Sequence, residues 1–435
     1  MGGSHAGVRP TPGAFLSPGL HQALTRLASL ARQSDSSLYL VGGSVRDLFL
    51  GRRPLDLDLM TSGDVIILAQ EYIHRHGGRL TAHQRFRTAS IDLPGGERVD
   101  LASPRRETYP GSGRLPEVDP AGINEDLQRR DFSVNAMALP WRRGGPGPLM
   151  DPFDGHGDLR RRWIRILHPA SFRDDPTRCF RATRLAGRLG FRQERRTAAA
   201  LRRAVDDGLV TDLSASRKGR ELRLLALEQE WPGAVARTSR AGLLQAIHQR
   251  LIPPSLPACR RVQAALAGRA TADTLPVVLA CLGMGAPGPP QSEALGDLQI
   301  VGGACRRAHS LLNSGRALLQ NLDRIPSGRI TISVLSRLAL EEDDDALLLV
   351  AGSDPRASVR RCIGEFLRRR RELVLHITAR DLLAAGVPRG PELGLCLATV
   401  RRALLDGRPA GHRLELGYAL SARTRKSGAG NRGEV

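Results

Sequence analysis

The chain has 435 residues, too many for one ordinary domain, and 41% of them are hydrophobic, enough to bury real cores. Its 65 basic side chains against 44 acidic ones leave a formal charge of +21, which points to a polyanionic partner, a nucleic acid or a nucleotide. The basic residues are nearly all arginine, Lys218 and Lys426 being the only lysines; biased coding explains arginine over lysine but not the excess over acid. Cys179, Cys259, Cys281, Cys305, Cys362 and Cys396 lie far apart without CxxC or zinc spacing, as expected of free thiols in a reducing cytoplasm. No apolar run approaches bilayer length, and Met1–Ala14 has no apolar signal core, so a soluble, cytoplasmic protein is expected.

In chain order, residues 1–17 read as a disordered leader, followed by an amphipathic helix from Leu20 to Gln33 with leucines at 20, 24, 27 and 30. A strand at Ser37–Val41 meets a Gly-Gly turn and a helix opening at Ser44. Leu55–Met60 alternates with period two, the mark of a half-buried strand, and further strands are expected at Ser90–Leu93 and Arg98–Ala102. From about Asp158 onward the pattern is helical. Gly- and Pro-rich breaks at Trp141–Pro148 and Ala286–Gln291 read as linkers, and the acidic run Glu341–Asp345 as a solvated helix start. The fold class expected is α+β, a small αβ head followed by an all-helical remainder.

Gly42-Gly43-Ser44-Val45-Arg46-Asp47 follows a strand and precedes a helix. Two glycines let backbone approach a polyphosphate, the helix start offers free N–H groups, and Arg46 adds charge. Such a turn is usually only a turn. Asp56-Leu57-Asp58 changes the weight, because residues two apart on a strand share a face and both carboxylates then point at one spot. A divalent cation relieves their repulsion, and two oxygen-liganded Mg²⁺ ions can activate a 3′-hydroxyl and steady a pyrophosphate leaving group.

The run Leu40–Asp47 followed by Asp56-Leu57-Asp58 resembles the head domain of the class II tRNA nucleotidyltransferases and bacterial poly(A) polymerases, of the polymerase-β-like nucleotidyltransferase superfamily. The resemblance continues through Asn124–Ala138, Asp151–Leu159 and Phe172–Ala182, and covers residues 37–230 most strongly. It implies a polymerase-β-like αβ head followed by helical neck, body and tail. It implies an enzyme adding CCA, or part of it, to the 3′ end of tRNA from CTP and ATP. Asp56 and Asp58 would be the catalytic metal ligands, with Asp100 as a third carboxylate or a plain strand-end acid. Gly42, Gly43 and Arg46 would bind the triphosphate, Arg130 the nucleotide, and Asp131 and Asn135 would lie near its ribose.

Residues 157–196 carry twelve arginines against four acids. Asp175-Pro176 is a good helix start in its own right, Asp capping and Pro at the first position. Beyond it Arg178, Arg181 and Arg184 step by three and are surface neighbours. A carboxylate accepts from the amino group of cytosine or adenine and a guanidinium donates to ring nitrogen or carbonyl. The resemblance therefore implies Asp175 and Arg178 as a protein template, with Arg181 and Arg184 on the phosphates. Three departures stand out: Asp174 where the family has Glu, and, in Leu213–Leu222, which is similar to the family's Ser-x-Glu-Arg neck motif, Ser216 where Glu is expected and Lys218 where an aliphatic is usual; the changed neck puts the bracing of the template helix in question.

The expected domains are a head at 18–157, a neck with recognition helices at 158–235, a helical body at 236–330, an RNA-binding tail at 331–423 and a disordered end at 424–435. Arg368–Arg371 suits a phosphate backbone, against the plainer reading of a solvated helix face. Pro110–Gly122 could supply mobile neighbours for re-aiming the template. Full CCA addition, CC-only or A-only addition, poly(A) synthesis and an inactive RNA-binding relative all remain open on the sequence, the intact aspartate pair favouring an enzyme.

Overall fold

The computed structural model describes residues 16–54, 56–111, 113–114, 116–142, 145–267, 273–286 and 303–427. The chain forms two compact units: residues up to Arg217 with 228–230 and 240–246, and the rest, 218–227, 231–239 and from Ile247 on. Among the described residues no helix is long and apolar enough to cross a membrane.

The N-terminal unit opens with α1 (Pro18–Gln33), capped by Ser17 Oγ on the Leu20 amide and packed through Leu20, Leu24, Leu27 and Leu30. Then follow β1 (Leu38–Val41), α2 (Gly42–Phe49), β2 (Asp56–Thr61), α3 (Val65–His76), β3 (Arg79–His83), β4 (Thr88–Asp92) and β5 (Arg98–Ala102). A hairpin, β6 (Arg105–Thr108) with β7 (Glu117–Pro120), leads to α4 (Ile123–Gln128), β8 (Ala138–Arg142) and β9 (Gly145–Pro146). One seven-stranded sheet, in the order β3-β4-β5-β2-β1-β8-β9, forms the head; β2 and β5 are parallel and the other pairs antiparallel. The helices α5 (Gly155–Arg161), α6 (Ser171–Asp174), α7 (Thr177–Leu189) and α8 (Arg195–Asp206) follow, with β10 (Trp163–Ile164) pairing β11 (Arg192–Gln193). The contact-defined unit thus runs past residue 157 and takes in α5 to α8.

Several expectations change. The helix after β1 begins at Gly42 rather than Ser44, so both glycines lie in its first turn. Trp141–Pro148 contains the β8–β9 hairpin at the sheet edge and is no linker, because Trp141 pairs with Pro146 and is buried. Within Pro110–Gly122, Glu117–Pro120 is a paired strand. The linker expected at Ala286–Gln291 lies, apart from Ala286, outside the described residues, as does Leu55. Leu16, at the end of the expected leader, is buried, and residues before it lie outside the description.

The motif Asp151–Asp158 is structural. Asp151 accepts from the amides of Gly155 and His156 at the start of α5 (2.6 and 2.9 Å), and buried Asp158 accepts from Ser133 Oγ and Arg165 Nε. A side chain at Gly155 would bring its Cβ to 2.2 Å from the Ser133 carbonyl oxygen, so only glycine lets α5 lie this close.

Beyond residue 214 all described elements are helical: α9 (Ala215–Ala226), α10 (Trp231–Arg240), α11 (Leu243–Ile247), α12 (Leu256–Ala267), α13 (Leu275–Cys281) and α14 (Gly303–Asp323). They continue with α15 (Ile332–Leu338), α16 (Asp344–Ser353), α17 (Ala357–Glu372), α18 (Ala379–Ala384), α19 (Pro391–Leu405) and α20 (His412–Ser427). The last helix therefore includes 424–427, expected to be disordered, while 428–435 fall outside the description. In the C-terminal unit Leu322, Leu335, Leu347, Val359, Ile363 and Phe366 share one core, and Ile377, Leu382, Val387, Cys396 and Val400 a second. The acidic run is no mere solvated start: Asp343 caps α16, and buried Asp345 pairs with Arg307.

Candidate functional site

Strand β2 alternates as its sequence requires, with Leu57 and Leu59 buried and Asp56 and Asp58 open on the other face. Ser44 in the first turn of α2 laces the helix to this strand: its Oγ accepts from the Asp58 amide at 2.8 Å and donates to the Asp56 carbonyl at 3.2 Å. Gly42, at φ +64°, is held where a Cβ would stand 2.7 Å from Arg130 Nη1, and a Cβ on Gly43 would stand 3.3 Å from Asp58 Oδ2. The paired glycines therefore admit a carboxylate and a guanidinium against one stretch of backbone.

Asp58 opens to the cleft, yet protein crowds it, so lost hydration pushes its pKa up; Asp100 and Asp56 add to this and Arg130 opposes it. Asp56 is raised too, by burial first and then by Asp100. Asp100 lies in register with Asp58 on the parallel neighbour β5, its carboxylate accepting from Ser90 Oγ and Arg98 Nε. Among the described residues no group of three or more His, Cys, Asp or Glu is arranged as a ready metal cage. The hard oxygen donors and surplus charge of the Asp56–Asp58 pair nevertheless suit a divalent cation.

Around the pair stands a tight polar network. Arg46 is buried, bidentate on Asp47 at 2.8 Å and bonded to Asn135 Oδ1 at 2.8 Å. Arg130 makes two bonds to fully buried Asp126 and one to the Asn135 carbonyl. Asp131 accepts from Asn135 Nδ2 and pairs with Arg181 at 2.6 Å; burial alone would raise its pKa, but Arg181, Asn135 and Arg178 hold it below the usual carboxylate value.

At the start of α7, Asp175 accepts from Thr177 N and Oγ1, so the plain capping role is real. Its Oδ1 also pairs with Arg217 at 2.6 Å. Arg178 is buried and donates to Ser171 Oγ, the Tyr109 hydroxyl and the Arg129 carbonyl. Arg181 faces the cleft. Arg184 does not: it pairs with Glu228 at 3.2 Å and is absent from the cleft lining, where Arg188 stands instead. At 3.6 residues per turn Arg188 points within about 20° of Arg181, whereas Arg184 is about 60° away, so the step of three carries Arg184 off the face.

These groups line one cleft of about 1030 Å³, which collects Gly43, Asp58, Asp100, Arg130, Asp175 and Arg181. Sequence reading missed Arg188, Arg217, Tyr109, and Arg52 and Arg53, which also line it. Arg188 was findable seven residues after Arg181. Arg217 answers the doubt raised by Ser216, since it joins Asp175 to the Gly113 carbonyl in the β6–β7 hairpin. Tyr109 donates to Glu107, and burial above all pushes its hydroxyl up to about 12.

A seven-stranded head carrying paired carboxylates beside a glycine-opened helix, with an arginine-rich helix across the cleft, defines a nucleotidyltransferase architecture. Residues 38–165 match the Poly A polymerase head domain family. An A-adding tRNA nucleotidyltransferase of Geobacter sulfurreducens is 33% identical over 410 residues, 89% of this chain and 45% of that protein. A CC-adding tRNA nucleotidyltransferase of Deinococcus radiodurans is 33% identical over 381 residues, 86% of each. A solved CCA-adding enzyme in apo form aligns with TM-score 0.78 and 26% identity over 93% of this chain and 96% of its own. The chain belongs to the class II tRNA nucleotidyltransferase family, whose members generally use divalent metals. It spans less than half the length of the Geobacter relative.

Proposed function

We propose that this chain is an enzyme that transfers nucleotides from CTP and ATP to the 3′-hydroxyl of tRNA lacking all or part of its CCA end, releasing pyrophosphate. The observation that carries the reading is the meeting of Asp56 and Asp58 on one face of β2 with the glycine-opened start of α2, laced by Ser44. Asp56 and Asp58 would hold two Mg²⁺ ions, with Asp100 beside them. Bound there, the ions would lower the pKa of the attacking hydroxyl and neutralise charge on the phosphates. Gly42, Gly43, Arg46, Arg130, Arg181 and Arg188 hold the triphosphate, and Asp131 and Asn135 set Arg46 and Arg181 in place. Asp175 and Arg178 offer an acceptor and a donor for a base edge once their present partners release them. Free thiols and the absence of a membrane-length helix among the described residues support a cytoplasmic site of action.

Relatives include A-adding and CC-adding proteins, and a fold neighbour is CCA-adding. We place full CCA addition first. The test gives the purified chain tRNAs ending before, within and just short of CCA, with CTP, ATP or both. Completion of CCA on every substrate is expected. Addition of A alone to tRNA ending in CC makes it an A-adding enzyme, C alone a CC-adding one, and long A tracts on unrelated RNA a poly(A) polymerase.

A further inference from the structure

The face that carries Asp58 does not stop at the carboxylates. In register across the sheet run three rows: Asp56–Arg98–Asp92–Arg79, Asp58–Asp100–Ser90–Thr81 and Met60–Ala102–Thr88–His83. Paired residues point the same way, so all twelve share one face. The cleft floor already includes Thr88, Ser90 and Asp100, and the next strand outward is β3. Beyond β3 the chain turns through His83–Arg87, and Arg79, Thr81 and every residue of this turn are exposed.

Three observations distinguish this turn from ordinary surface. Phe86 is 51% exposed, with the Arg85 guanidinium 5.8 Å from its ring centre. Arg87 sits at φ +48°, a strained conformation for arginine, and is pinned there by the Ser103 amide on its carbonyl. Among the described residues no hydrogen bond or ion pair occupies the side chains of Arg79, Arg85 or Arg87; Asp56, Asp58, Asp92 and Asp100 are the carboxylates on the three rows. Edge strands often carry charge merely to block pairing with another chain. That explains Arg79 but gives no reason for an exposed phenylalanine on a strained, anchored turn.

We infer that the β3–β4 surface, with Phe86 as a stacking anchor and Arg79, Arg85 and Arg87 as phosphate contacts, seats the 3′-terminal nucleotides of the RNA that receives the new one. The inference rests on the proposed reaction. Displacement at phosphorus puts nucleophile and leaving group on opposite sides. With the triphosphate on the α2 and α7 side of Asp58, the hydroxyl arrives from the β5–β4–β3 side. Aromatic stacking flanked by guanidinium groups is the chemistry that holds single-stranded RNA without reading its sequence.

The test uses the full chain and a tRNA acceptor-stem hairpin with 2-aminopurine two nucleotides before its 3′ end, because β3 lies three strands from the Asp58 strand, too far for the base of the reacting nucleotide itself. Binding to the unaltered protein should quench its fluorescence by stacking; Phe86→Ala should lose the quenching and Phe86→Trp keep it. Arg79→Ala with Arg85→Ala should raise KM for RNA about tenfold and leave KM for nucleotide unchanged. Absence of quenching by the unaltered protein, equal quenching by Phe86→Ala, or an unmoved KM for RNA would overturn the inference. Because quenching needs no chemistry, a protein that quenches but adds no nucleotide would refute the activity and uphold the platform.

Discussion

Asp56 and Asp58 are crowded acids whose ionised forms the fold disfavours. A carboxyl with a raised folded pKa stabilises most below its unfolded value and loses that contribution as pH rises through the folded value. Metal-free protein should therefore lose stability as pH climbs from about 3.8 upward through this window, and Asp58→Asn should flatten that part of the profile. At neutral pH Mg²⁺ should raise the melting temperature of the unaltered chain more than that of Asp58→Asn; equal shifts in thermal melts would remove the metal assignment. The same variant should lose nucleotide addition by roughly a thousandfold or more, since metal stabilisation of transition-state charge is worth several kcal/mol. On α7, Arg188→Ala should raise KM for nucleotide while Arg184→Ala should not, because Arg184 is spent on Glu228. Arg178→Ala should raise misincorporation about tenfold. It should also cost about 1–3 kcal/mol in chemical denaturation, because Ser171, Tyr109 and the Arg129 carbonyl lose their shared donor. Unchanged selectivity would leave Arg178 a purely structural residue.

At the scale of elements, the arginine run in α17 has another use than gripping RNA. Arg370 donates to the carbonyls of Ala339, Leu340 and Glu342 just past α15 and pairs with Asp344. Arg368 and Arg369 are taken by Glu365, Glu372 and the Leu405 carbonyl, while Arg371 stays mostly exposed. The run is a clamp for helix ends, which have carbonyls without intrahelical partners. Arg370→Ala should lower stability by about 1–3 kcal/mol in chemical denaturation. Its tRNA affinity in filter binding should stay within about twofold, as expected of a group without a phosphate contact. A large loss of affinity with unchanged stability would restore the RNA-gripping role.

For the whole molecule, a charge of +21 predicts tRNA binding that weakens steeply with salt. Truncation at Arg371 is a poor probe of the tail, because it removes Leu405 from a core built largely of earlier helices. Point changes are cleaner. Arg380, Arg389 and Arg413 are exposed, and among the described residues no carboxylate pairs with them. Replacing all three by Gln should shallow the log–log salt slope by about two to three, given roughly 0.7–0.9 per phosphate contact. An unaltered slope would place the tail away from the RNA.

What the sequence determined by itself is what is local. The alternation around Asp56 and Asp58, the capping at Asp175 and the glycine pair at 42 and 43 each depend on spacing within a few residues, where period and propensity dominate. The family followed from several such motifs in order. What only the tertiary structure decided is which charges are already spoken for. Arg46 finds Asn135 89 positions away, Arg217 finds Asp175 across 42, and Arg184 turns to Glu228. These pairings are set by how helices and strands pack, and burial makes an unpaired guanidinium or carboxylate costly enough that each is claimed by the nearest complement. The arginines of α7 and α17 look alike in sequence; their neighbours alone separate Arg181 and Arg188 in the cleft from Arg184 and Arg370 in the scaffold.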